Sequence, residues 1–99
     1  MLRLQASPTF KAKVGIPVPG EKRHEITVTF NHMTREAFNT FDFTSGEIDG
    51  LMKIVAGWDG VEAEFSRETL AQLCNVYPGS AYAIGSAFAT ELHGQRLGN

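Results

Sequence analysis

The spacing of apolar residues changes period partway along the chain. From Phe10 to Val18 it is two: Phe10, Ala12, Val14, Ile16 and Val18 share one side, and Lys11, Lys13, Gly15 and Pro17 the other. That alternation predicts a half-buried strand. Pro17 cannot donate to a ladder, so this strand, or its end, belongs at a sheet edge. Pro19 to Arg23 reads as a turn. Alternation then resumes, with Ile26, Val28 and Phe30 on one face and Thr27 and Thr29 on the other. The two segments predict an antiparallel hairpin over about 10–31. A lone hairpin is marginal in water, so its apolar face needs a cover.

Beyond residue 33 the period becomes helical. Thr34 suits an N-cap, Glu36 meets the positive end of the helix dipole, and Phe38 and Phe41 share a face, predicting a helix over about 34–42. Thr44 and Glu47 have capping-box spacing, with Ser45 as an alternative cap. Ile48, Leu51, Met52 and Val55 follow at i, i+3, i+4 and i+7, predicting a helix over about 45–56 that stops at Gly57. Trp58 comes next and is expected to close that helix end against the hairpin or the following helix. Val61, Ala63 and Phe65 alternate with Glu62 and Glu64, as in a short strand or an extended link.

Ser66 caps a helix predicted over about 66–77, with Glu68 in its first turn and Leu70, Leu73, Cys74 and Tyr77 as the buried stripe. Pro78 ends it. A last helix, about 79–92, carries Ala81, Ala83, Ala87 and Ala89 around Ile84, Phe88 and Leu92, with Gly94 as its stop. Gly85 in its interior costs about 1 kcal/mol against alanine. Either close packing on the preceding helix or a subunit interface would account for that glycine. The face of Ala81, Ile84, Gly85 and Phe88 is therefore the candidate surface for partner binding or self-association. Phe30, Leu51, Trp58, Leu70, Leu73 and Tyr77 are the expected core. The fold class is α+β: an N-terminal antiparallel β-hairpin packed on a C-terminal bundle of about four short helices, in one domain over 1–99.

Composition narrows the chemistry. With 99 residues, 42% hydrophobic and 20% charged, the chain suits one small globular domain. Its net charge is −2, and Lys and Arg are scattered rather than gathered in the basic stripe that nucleic acid binding needs. No apolar run reaches membrane-spanning length. A single cysteine, Cys74, excludes an intramolecular disulfide. His24, His32 and His93 stand in no metal spacing with each other or with Cys74. Glu62 and Glu64 are close in sequence, but nothing around them suggests a cleft. No phosphate-binding glycine loop occurs. We therefore expect no enzyme, no cofactor and no metal.

Several stretches together resemble the tail assembly chaperones of long-tailed bacteriophages and their prophages. They are I-T-V-T-F-N-H-M-T-R-E-A-F, I-V-A-G-W-D, F-S-R-E-T-L-A-Q-L, Y-P-G-S-A-Y-A-I and the tail A-T-E-L-H-G-Q-R-L-G-N. Their order and spacing carry the match, from about Phe10 onward. The segment between Phe41 and Ile48 is shorter than the resemblance leads one to expect, which bears on the length of the first helix. The resemblance implies a holdase-like protein of the host bacterial cytoplasm. Such a protein binds the tape measure protein, recruits tail tube subunits and is absent from the finished virion. A small structural subunit for tail completion or connection is the alternative. Such chaperones are often made in two lengths by ribosomal slippage. Leu97-Gly98-Asn99 can be encoded as CTG GGA AAC, which contains the slippery heptamer G-GGA-AAC, so we expect this chain to be the shorter product.

Overall fold

The computed structural model describes residues 1–42 and 46–94. Strands β1 (Thr9–Ile16) and β2 (His24–Asn31) form the antiparallel hairpin. Its register sets Phe10 against Phe30, Ala12 against Val28 and Val14 against Ile26, so one face is continuously apolar. Lys11, Lys13, Thr27 and Thr29 lie on the opposite face. Gly20, at φ 81, makes the turn, and the Glu21 amide donates to the Val18 carbonyl at 3.0 Å.

Helices α1 (Arg35–Asn39) and α2 (Glu47–Ile54) follow, and then a third strand, β3 (Val55–Asp59). α1 is shorter than the spacing predicts. Thr34 caps it by accepting from the Ala37 amide, but the Thr40 hydroxyl turns back onto the Glu36 and Ala37 carbonyls and ends it. The Thr44 and Ser45 caps lie outside the described residues. α2 is preceded by Gly46, whose backbone stands at the N-cap position.

β3 is the main departure from the expected helix over 45–56. Val55 has strand dihedrals while its amide still bonds the Leu51 carbonyl, so it serves α2 as C-cap and opens the strand. β3 pairs antiparallel with β2 and gives the sheet order β1-β2-β3. The ladder slips between Thr29 and Phe30, so Val55 and Trp58 both come to lie opposite core-facing residues, Phe30 and Val28. The cause is tertiary. Without β3 the second edge of β2 would present unpaired backbone groups beside the core, which is costly. Asn31 Nδ2 also donates to the Lys53 carbonyl at 3.1 Å, tying the end of α2 to β2. Residues 61–65 form no strand; they are a bent link to α3.

α3 (Arg67–Val76) starts with a full reciprocal cap between Ser66 and Thr69. Arg67 pairs with Asp49, joining α3 to α2. α4 (Ser80–His93) follows and ends at Gly94 in the left-handed region, φ 68. The helices cover the apolar face of the sheet, with α4 on β1 and α2 between α4 and the remaining strands. The result is a three-stranded antiparallel sheet and four helices, an α+β fold. Its core contains Val14, Ile16, Val28, Phe30, Leu51, Ile54, Leu70, Ile84 and Phe88. Leu73, Tyr77 and Trp58 are half-buried at its edges.

Candidate functional site

Of the four residues on the expected partner face of α4, Ile84 and Phe88 have no solvent exposure. The Phe88 ring lies 5.4 Å from that of Phe30, 6.0 Å from Phe10 and 6.3 Å from Phe38. These two side chains are committed to the protein's own core, and only Ala81 and Gly85 remain partly accessible. A Cβ built at Gly85 meets nothing within 4 Å, so close packing on α3 does not account for this glycine. Close approach occurs instead at Gly79, where a Cβ would come within 2.9 Å of Pro17 Cγ. That contact docks the exit of β1 on the start of α4. The exposed apolar side chain of α4 is Tyr82, at 82%, which the sequence reading did not single out.

A groove opens where the turn end of the hairpin, the 60–63 link and α3 meet. Its volume is about 400 Å³. Ile16, Val18 and Ile26 form the hairpin wall, Val61 and Ala63 the link, and Leu73, Val76 and Tyr77 the α3 wall. The link is pinned from below: Trp58 Nε1 donates to the Ala63 carbonyl at 2.8 Å, and Phe65 packs edge-on against Trp58 with ring centres 5.2 Å apart. Trp58, paired with Val28 of the hairpin, thus fixes the link that carries Val61 and Ala63. Val76 stands at the lip, 55% exposed although it is apolar. The available sequence signal was its place three residues after Leu73 on α3.

The polar side chains lining the groove are His24, Glu62, Thr69 and Gln72. The stretch from Asp59 to Glu68 holds four carboxylates, Asp59, Glu62, Glu64 and Glu68, against one cation, Arg67. Arg67 is paired with Asp49.

Among the described residues, the groups capable of catalytic chemistry stand apart from one another. Cys74 is buried, and burial, with a smaller contribution from Glu47, pushes its thiol up to about 11. A protonated thiol is a poor nucleophile. The three histidines are dispersed. His24 faces Glu21 at 3.5 Å, His32 stands edge-on to Phe10, and His93 donates from Nδ1 to the Ala89 carbonyl at 2.9 Å. Among the described residues, no group of three or more His, Cys, Asp or Glu is placed to hold a metal ion, and no helix is long and apolar enough to cross a membrane.

No curated protein and no solved structure matches the chain. The model of a family described as phage tail assembly chaperone matches residues 1–99, the whole chain.

Proposed function

Because the chain belongs to the phage tail assembly chaperone family, we propose that it binds the tape measure protein, keeps it soluble and promotes tail tube assembly around it. The observation that carries this reading is the family match over the full length of the chain. The open groove beside exposed Val76 is consistent with it. A holdase needs accessible apolar surface to compete with self-association of its client, and a long helical client offers apolar stripes to such a surface. The work is done in the cytoplasm of the infected bacterium, before the virion is complete.

Coexpression with the tape measure protein from the same phage tests the proposal. The client is expected to move from the pellet to the supernatant and to copurify with this chain. Mass spectrometry of purified virions should find the tape measure protein and not the chaperone. Stoichiometric recovery of this chain from finished particles would instead identify a structural completion or connector subunit.

A further inference from the structure

We propose that the outer edge of β1 takes a further strand, an extended segment of another protein in which carboxylates alternate with apolar residues. The ladder determines which backbone groups are free for it. The His32 amide donates to the Pro8 carbonyl at 2.8 Å, in register with the β1–β2 pairs. Alternation along an antiparallel ladder then turns the amides and carbonyls of Phe10, Ala12, Val14 and Ile16 towards β2, and those of Thr9, Lys11, Lys13 and Gly15 away from it. β1 is an outer strand of the sheet, so no strand of this chain meets the second set.

That edge is closed at one end only. The Arg23 guanidinium donates to the Gly15 carbonyl at 3.0 Å, and its stem lies over Gly15, where a Cβ would stand 3.2 Å from Arg23 Cδ. Pro17, the next outward position, has no amide to donate. Among the described residues, no hydrogen bond reaches the outward backbone groups of Thr9, Lys11 and Lys13. Burial changes at the same point: Val14 and Ile16 are buried, whereas Phe10 and Ala12 are only half-buried. Apolar side chains on an added strand would cover those two residues. On the other face Lys11 and Lys13 are exposed, and Lys13 meets only the exposed Glu25, at 3.7 Å. Glu91, the carboxylate beside Thr9, belongs to α4 on the apolar face. An added strand therefore meets cations on one face and half-covered apolar side chains on the other, which selects alternating acidic and apolar residues.

Segments of this chain do not fit the edge. Setting two such stretches antiparallel puts Lys11 against Lys11, the like-charge contact by which edge lysines keep identical strands apart. Residues 1–8 contain no carboxylate and form no strand. Val61 to Phe65 has the right alternation, but it is bent, and its Ala63 and Glu64 carbonyls are bonded to Trp58 and Thr69.

Amide exchange and nitrogen-15 shifts of the full chain, titrated with a short capped peptide of alternating Val and Glu, provide the test. The Thr9, Lys11 and Lys13 amides should gain protection, while those of Phe10, Ala12 and Val14, already bonded to β2, should change little. A peptide with Lys in place of Glu should bind at least about fivefold more weakly, because the pairs with Lys11 and Lys13 turn from attraction to repulsion. Lys11→Glu combined with Lys13→Glu should reverse that preference, and both side chains are exposed, so the circular dichroism spectrum should be kept. N-methylation of alternate amides in the Val-Glu peptide, which removes donors and leaves charge unchanged, should abolish binding. The proposal is overturned if the Val-Glu peptide fails to bind at concentrations on the order of 1 mM, or if the Lys peptide binds equally well. Shifts confined to the groove between Val61 and Tyr77 would also overturn it. So would protection of the three amides that grows with protein concentration and no peptide, since the occupant would then be a second copy.

Discussion

Replacing Phe88 by alanine separates a core role for α4 from a docking role. The side chain is wholly buried and touches the rings of Phe10, Phe30 and Phe38, bridging β1, β2 and α1 to α4. Truncating a buried phenylalanine costs about 3–5 kcal/mol. Each aromatic pair adds about 0.5–1.5 kcal/mol beyond area, although pairs sharing one ring do not sum. The upper part of the first range, about 4–5 kcal/mol, is therefore expected. A domain of this size has only about 5–15 kcal/mol in total, so the variant should be barely folded. Urea unfolding followed by the fluorescence of Trp58, the only tryptophan, reads this directly. The midpoint should fall by on the order of 2 M, given a slope of roughly 1–3 kcal/mol/M. A midpoint within about 0.5 M of wild type, together with lost client binding, would refute the core assignment and restore the α4 face as an interface.

Three further outcomes follow from particular sites. Gly85→Ala should raise stability by up to about 1 kcal/mol in thermal unfolding, because the new methyl meets open space and alanine favours helix; destabilisation would show a neighbour at that face. Ser80→Ala should be neutral to stabilising by about 1 kcal/mol, since the buried Ser80 hydroxyl has no hydrogen-bond partner among the described residues; a loss above about 1 kcal/mol would reveal one. Burial, with a smaller contribution from Glu47, pushes the Cys74 thiol up from its ordinary 9.0 to about 11 in the folded chain. Its raised folded value favours the native state fully below pH 9.0, and that contribution is lost as pH climbs towards 11. Between those limits wild type should lose stability with pH more steeply than Cys74→Ala, and parallel slopes would contradict the assignment.

The chaperone family resemblance, the hairpin and the caps at Thr34 and Ser66 were legible in the sequence because their signals are local. Period-two alternation orients a strand before any partner is known, and a hydroxyl three residues before an amide caps whatever helix follows. Ile48, Leu51 and Val55 fit one helical stripe equally locally, yet Val55 is in a strand. The open edge of β2 decided that, since its backbone groups needed a partner that no property of residues 47–59 alone records. The same limit applied to α4. Its small and apolar residues are compatible with core or interface, and only the convergence of Phe10, Phe30 and Phe38 on Phe88 commits the ring to the interior. The groove was least legible of all. Its walls come from a hairpin end, a link and a helix that are far apart in sequence, and the link is held by the Trp58 Nε1 bond to the Ala63 carbonyl, which local patterning does not record. Sequence patterns report which side of an element avoids water; which other element excludes that water is settled only when distant segments pack.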